Sequence, residues 1–135
     1  MVLHFRLKHD FVNKLDCVSM VIIQLKEKGI FTMSTQLAHM VFFKLKDNSA
    51  AASAKLVAEC SKYLKPHAGI AYFSAGTLAR ELNREVNDQN FDVALHVVFN
   101  DVKHHDVYQD SDMHNEFIAN NKDNWEKVRV FDSHV

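Results

Sequence analysis

The sequence FDVALHVVF at residues 91–99 carries the strongest strand pattern of the chain. Every second position is large and apolar: Phe91, Val93, Leu95, Val97 and Phe99. A β-strand points successive side chains to opposite faces, so this period of two predicts one face packed against a core. The opposite face of the predicted strand carries His96 and Val98.

A second stretch, residues 38–45, shows the same alternation. Its two sides are both apolar, with Val41, Phe43 and Leu45 on one side and Met40 and Phe42 on the other. A strand that is apolar on both sides, here as far as Lys44, is typical of a sheet covered on both faces. We therefore expect helices on one face and a further apolar surface on the other.

The residues after this strand alternate between helix and strand signals. Asn48 and Ser49 are favourable N-caps for a helix. This helix should end near Leu64, because Pro66 cannot continue it. A short apolar run at residues 70–75 lies between two glycines, which predicts a second strand.

The C-terminal half completes the pattern. Residues 78–90 are polar and predict a loop. A helical region capped at Asp101 should extend to about residue 121, with a break near residues 110–112. Residues 128–131 predict the last strand. The order βαββαβ is that of an α+β, ferredoxin-like sandwich, with a four-stranded antiparallel sheet and helices on one face.

The second face of such a sheet would expose large apolar side chains. Exposed apolar patches of that size are rare on monomers. We therefore expect a homodimer, in which the second face of the sheet is buried against a second copy of the chain.

The chain has 135 residues, 47% of them hydrophobic, which fits one domain. Residues 1–32 hold five lysines and arginines against three acidic residues, whereas residues 36–135 hold eleven against fourteen. We expect residues 36–135 to form the domain and residues 1–35 to be an N-terminal extension. Whether the extension packs on the domain or adds residues that the fold does not need stays open.

The charge balance disfavours two classes of partner. Lysine plus arginine (16) nearly equal aspartate plus glutamate (17), so no strong field attracts nucleic acid or an anionic membrane. No apolar run reaches the roughly 20 residues of a transmembrane helix. Cys17 and Cys60 have no CxxC spacing and are expected to be free thiols. These features predict a cytoplasmic protein.

Several segments resemble a known family, the stress-responsive dimeric α/β barrel (Dabb) domain. They are HMVFFKLK at residues 39–46, GIAYFSAG at 69–76, FDVALHVVF at 91–99, Tyr108 through His114 to Phe117, and VRVFD at 128–132. The resemblance implies the fold and dimer expected above, in which the sheets of two copies pair as a dimeric α/β barrel, with a pocket in each subunit. Members of the family differ in activity, from stress proteins of unknown activity to a plant polyketide cyclase.

The resemblance also implies a site. In cyclase-type members a histidine of the first strand, a tyrosine of the second helix and a histidine six residues later line the pocket. His39, Tyr108 and His114 stand at the matching positions and are the implied catalytic residues. The family writes the helix motif as Tyr-x-x-His-Pro-x-His, whereas Ser111 and Asp112 here replace the first His and the Pro. This difference removes one imidazole from the expected site.

These three residues suit proton transfer without a metal or a cofactor. An imidazole takes up a proton near neutral pH, and a phenol stabilises negative charge growing on a carbonyl oxygen. Each residue also has a structural interpretation, His39 as a hydrogen-bonded core residue and the other two as packing between helix and sheet. Four apolar neighbours are expected to line the pocket: Val41, Phe43, Phe117 and Ile118.

The other histidines predict no metal site. His104 and His105 are adjacent on a helix and are expected at the surface. The nine histidines of the chain show no repeated ligand spacing.

Three functions therefore stay open. The first is a stress-associated dimer that binds a small hydrophobic or aromatic molecule. The second is a cofactor-free enzyme of polyketide cyclase, isomerase or monooxygenase type, and the third is a purely structural assembly. A cavity of about 300 Å³ or more at the three site residues would favour the first two, because ligand pockets have about that volume.

Overall fold

Four antiparallel strands form one sheet in the computed structural model, which describes residues 35–135. The strands are β1 (Leu37–Leu45), β2 (Ile70–Thr77), β3 (Val93–Phe99) and β4 (Trp125–His134). The helices are α1 (Ala50–Tyr63), α2 (Val102–Asp110) and α3 (Asp112–Asn121), followed by a 3-10 turn at Lys122–Asn124. The strand order is β2-β3-β1-β4, and the predicted ferredoxin-like βαββαβ fold is confirmed.

The helix side of the sheet holds the core. Its buried strand residues alternate as predicted: Val41, Phe43 and Leu45 from β1, and Val93, Leu95, Val97 and Phe99 from β3. Helix α1 covers them with Leu56, Cys60 and Tyr63. Ser49 is the N-cap of this helix, and its Oγ accepts a hydrogen bond of 3.2 Å from the backbone N–H of Ala52. The cap satisfies one of the free amides of the first turn.

The second face of the sheet is also apolar and aromatic. Met40 lies between His96 of β3 and Phe131 of β4 as their cross-strand partner, so the three side chains share this face. The ring of Phe42 contacts Phe131 at a centroid distance of 5.8 Å. Phe131 and Tyr72 remain 55% and 56% exposed. The domain therefore presents apolar surface on the side away from its helices.

Strand β4 is longer than the four residues predicted from the sequence. It begins at Trp125 and pairs with β1 along nearly its whole length. Its side chains do not alternate in polarity because β4 is an edge strand, with Val128 and Val130 partly exposed even on the helix side. Strand β3 begins two residues later than predicted, at Val93.

One residue, Ser111, separates the two C-terminal helices. The break predicted near residues 110–112 is thereby confirmed. Ser111 ends α2 and caps α3: its Oγ donates to the carbonyl of Tyr108 at 2.8 Å and accepts from the N–H of His114 at 3.1 Å. This single side chain therefore connects two of the predicted site residues. None of the helices in the described part of the chain is long and apolar enough to cross a membrane.

Gly69 sets the approach of α2 to the turn before β2. Its φ is +81°, and a Cβ added there would lie 2.0 Å from Cδ2 of His104. Both facts require glycine at this position. His104, in the first turn of α2, therefore packs directly against Gly69. Its Nδ1 also lies 2.8 Å from Oδ1 of Asp101.

The predicted N-terminal extension and Cys17 fall outside the described residues, apart from the boundary position 35. Both stay predictions.

Candidate functional site

A cavity of about 170 Å³ lies between the helix side of the sheet and helices α2 and α3. Its walls include all seven residues named from the sequence: His39, Val41, Phe43, Tyr108, His114, Phe117 and Ile118. Val128 and Val130 of β4 also line it and are 38% and 49% exposed, so the cavity opens to solvent beside this edge strand. The volume is below the roughly 300 Å³ that would favour binding or catalysis, so the volume alone supports neither function.

His39 reaches the cavity from the middle of the sheet and is 4% exposed. Its Nδ1 lies 2.6 Å from Oδ1 of Asp132, the residue directly opposite on β4. A carboxylate accepts hydrogen bonds, so the ring donates from Nδ1 and leaves the lone pair on Nε2. Burial lowers the pKa of His39, while the hydrogen bond and the charge of Asp132 act in the opposite direction. The result is a neutral imidazole held in one tautomer by a carboxylate.

Tyr108 occupies the centre of a cluster of rings. Its ring lies 6.1 Å from that of His39, 4.8 Å from that of His114 and 5.0 Å from that of Phe99, measured between centroids. The side chain is 1% exposed, and burial raises the pKa of its phenol. Tyr108 therefore stays a neutral hydrogen-bond donor at physiological pH.

His114 lies in the first turn of α3. Its Nδ1 is buried, and residues 35–135 offer it no hydrogen-bond partner. Burial is the main cause that lowers the pKa of His114; a hydrogen bond to the backbone of Gln109 opposes it, and His39, His67 and His105 add small effects in the lowering direction. The ring is therefore neutral at pH 7 and presents an unpaired nitrogen in an apolar setting.

His67 contacts Tyr108 from outside the cavity lining, and the sequence patterns did not indicate it. It lies in the loop after α1, with Nδ1 2.8 Å from the carbonyl of Leu64 and Nε2 2.9 Å from Oγ of Ser111. Its ring is 4.9 Å from that of Tyr108. An imidazole from another element thus stands beside the position where the helix motif has lost its own. No periodic signal marks a residue in such a loop.

His105 differs from its expected surface position. Its side chain is only 17% exposed, and its ring lies 5.1 Å from that of His39 and 5.5 Å from that of Phe99. The spacing along the helix explains this burial, because His105 precedes Tyr108 by three residues and lies on the same helix face. The expectation of a surface residue was wrong for His105, whereas His104 is partly exposed.

The fold and this cavity define a ferredoxin-like α+β domain with a histidine- and tyrosine-lined pocket on the helix side of its sheet. The family described as "Stress responsive A/B Barrel Domain" matches residues 37–135, and the chain belongs to it. The resemblance stated from the sequence is thereby confirmed. Among the curated proteins, none matches the chain.

Solved structures share this fold. A Dabb family protein with a ferredoxin-like fold from Mesorhizobium loti is 19% identical, with a TM-score of 0.62 over 74% of this chain and 96% of that one. A dimeric ferredoxin-like protein of unknown function from Thermobifida fusca is 13% identical, with a TM-score of 0.62 over 78% and 96%. A hydroxynitrile lyase from Passiflora edulis is 20% identical, with a TM-score of 0.61 over 75% and 94%.

The lowered pKa of His114 predicts that stability depends on pH. Below its ordinary pKa of 6.5, the unfolded chain binds a proton at this imidazole that the folded chain does not bind. The free energy of unfolding should therefore fall as the pH decreases from 6.5 towards the lowered pKa. His114→Gln should make this fall smaller, as measured by urea unfolding at several pH values and one protein concentration.

The matched control is His134→Gln, which changes an exposed histidine of β4. Its pH dependence should equal that of the unchanged protein. Identical pH dependence in all three proteins would contradict the assignment to His114.

Proposed function

We propose that this chain binds a small, mostly apolar molecule in the cavity beside α2 and α3. The observation that carries the proposal is the buried Nδ1 of His114, which finds no hydrogen-bond partner within residues 35–135. A buried polar atom without a partner costs about 1–3 kcal/mol. Nε1 of Trp125 is likewise buried without a hydrogen-bond partner within residues 35–135, and both residues line the cavity. A ligand that reaches these atoms after a small movement of the rings removes the cost, so the site favours a ligand with a polar group.

The size and lining of the cavity limit the ligand further. Its volume of about 170 Å³ is close to that of an engineered apolar cavity of about 150 Å³ that binds benzene. Most of the lining is aliphatic or aromatic, and the polar groups come from His39, Tyr108, Gln109, His114 and the indole N–H of Trp125. We infer a ligand with a single aromatic ring, or an aliphatic group of similar size, that carries a hydroxyl or carbonyl oxygen.

A second candidate is a cofactor-free enzyme that transfers protons, and the His39–Asp132 hydrogen bond favours it. An imidazole oriented by a carboxylate leaves Nε2 ready to take a proton from a substrate. The neutral phenol of Tyr108 would donate to an oxygen on which negative charge grows. His39, Tyr108 and His114 are then the catalytic residues, as the family resemblance implies.

We further propose that two copies of the chain associate through the second face of the sheet. Neighbours of this fold from Thermobifida fusca, Bacteroides fragilis and Jannaschia are described as dimeric. The exposed rings of Tyr72 and Phe131, with the half-buried Met40 and Phe42 between the edges of the sheet, offer the apolar area that association needs.

Phenol and toluene should distinguish the polar contact from the apolar cavity. The leucine of His114→Leu has similar bulk but no ring nitrogen, so phenol should bind about tenfold more weakly, the factor that 1.4 kcal/mol represents. Toluene, which makes no hydrogen bond, should bind as before. Isothermal titration calorimetry measures both affinities.

His96→Leu is the control for this pair, because it removes an imidazole from the other face of the sheet. It should leave both affinities unchanged. Equal losses for phenol and toluene in His114→Leu, or no binding of either to the unchanged protein, would refute the proposed contact.

Mandelonitrile tests the enzyme candidate. Its cleavage removes the hydroxyl proton, forms the carbonyl of benzaldehyde and breaks the C–C bond, whose electron pair leaves with cyanide and is protonated there. If His39 takes the hydroxyl proton, Asp132→Asn should slow benzaldehyde release about a hundredfold, within the usual range for general base catalysis. Ultraviolet absorbance follows the aldehyde.

Asp106→Asn serves as control, because Asp106 also lies beside an imidazole, at 3.3 Å from Nδ1 of His105, but outside the cavity lining. It should release benzaldehyde at the unchanged rate. Release no faster than with heat-unfolded protein would exclude this cleavage as the activity.

Phe131→Glu tests the association of two copies. A charge buried in an apolar interface costs several kcal/mol, so the variant should be monomeric where the unchanged protein is dimeric. Light scattering at micromolar concentration gives the mass. Val107→Glu, at an exposed position of α2, should remain dimeric. A monomeric mass for the unchanged protein would end the proposal.

A further inference from the structure

Three donor side chains meet beside the cavity, although the sequence has no metal-ligand spacing. His39, His105 and Asp132 each offer one ligand atom, and these atoms lie within 4.8 Å of one another. We propose that they form a binding site for a divalent transition-metal ion. Within residues 35–135 this is the one such group of three.

The three ligands come from three different elements. His39 and Asp132 are directly opposite on β1 and β4, and the register of the sheet fixes their separation. His105 comes from α2, whose face is fixed by the buried ring of Tyr108 three residues later. A site assembled in this way has ligands that are far apart in sequence, which is why spacing alone did not indicate it.

The donor types select the class of ion. Two imidazole nitrogens and one carboxylate oxygen suit zinc and its neighbours in the first transition row, whereas calcium and magnesium prefer oxygen ligands. Three protein ligands leave at least one position for water or another oxygen, as in catalytic zinc sites. The ion bound here would therefore remain accessible to a small molecule.

The required movement is small. With bonds of about 2.1 Å to zinc, neighbouring ligand atoms in a tetrahedral site lie about 3.4 Å apart. The His39–Asp132 contact of 2.6 Å must open slightly, and the His105 ring must move closer by up to about 1.4 Å. The nitrogen of His105 that binds the ion must also leave its present partner, Asp106 at 3.3 Å from Nδ1 or Gln109 at 3.2 Å from Nε2. If the ion takes the place of the proton between Nδ1 of His39 and Asp132, that proton moves to Nε2 and the imidazole stays neutral.

The side chains also provide a route from solvent. The side chain of Asp132 is 46% exposed, that of His105 17% and that of His39 6%. An ion can therefore meet the carboxylate first and then the buried imidazole.

This proposal does not depend on the proposed ligand, because His105 and Asp132 lie outside the cavity lining and only His39 belongs to both. A metal bound to His39 removes its lone pair from acid–base chemistry. Metal binding and proton transfer at His39 are therefore alternative states of one site.

Zinc and cobalt ions test the site in the full-length chain. Isothermal titration calorimetry with zinc chloride should show one site per chain that His105→Phe weakens at least tenfold. The phenylalanine keeps a ring beside His39 and Phe99, so the packing of α2 is preserved while both donor nitrogens are removed. Visible absorption of bound Co²⁺ should be present in the unchanged protein and weak or absent in His105→Phe.

His104→Ala is the matched control, since it removes the adjacent histidine, which contacts Asp101 instead. It should keep the zinc affinity and the cobalt spectrum of the unchanged protein. Equal zinc affinity in the unchanged protein, His104→Ala and His105→Phe would overturn the site, as would the absence of zinc binding. The phenol titrations contain no added metal and are independent of the zinc titrations. The ligand proposal and the metal proposal can therefore fail separately.

Discussion

The central position of β1 is the constraint on which the rest of the structure depends. This strand pairs with β3 on one side and β4 on the other, and its residues point alternately to the two faces. One set packs against the helices and carries His39, while the other set carries Met40 and Phe42. A register shift of one residue would exchange the two sets, so the cavity and the second face are specified together.

The candidate site combines this register with one interruption in the helices. Asp132 reaches His39 because the two residues are direct cross-strand partners. Tyr108 and His114 reach the same cavity because Ser111 ends one helix and begins the next between them. Ser111 also binds His67, so a serine in place of the motif's histidine still has an imidazole beside it. One hydroxyl thus bonds to the backbone of both Tyr108 and His114 and to the ring of His67.

The sequence predicted the parts of this arrangement that follow from local periodicity. The alternation in residues 38–45 and 91–99 indicated β1 and β3 because both are central and contact the core on the helix side. The full length of β4 was not predicted, because the side chains of an edge strand need not alternate between apolar and polar. His39, Tyr108 and His114 came from the family resemblance. Asp132 and His67 contribute through partners far along the chain, and no spacing encodes that. The position of His105 beside the site could have been predicted from the sequence, because it lies one helical turn before Tyr108.

The burial of Cys60 limits how this domain can respond to its surroundings. Cys60 is a free thiol with no exposed surface, and burial raises its pKa to about 12. Peroxides and electrophiles attack the thiolate, which is nearly absent at such a pKa. Cys60 in the folded domain is therefore a poor target for oxidants. If members of this stress-responsive family sense oxidation directly, the folded form of this chain has to do so with chemistry other than that of Cys60.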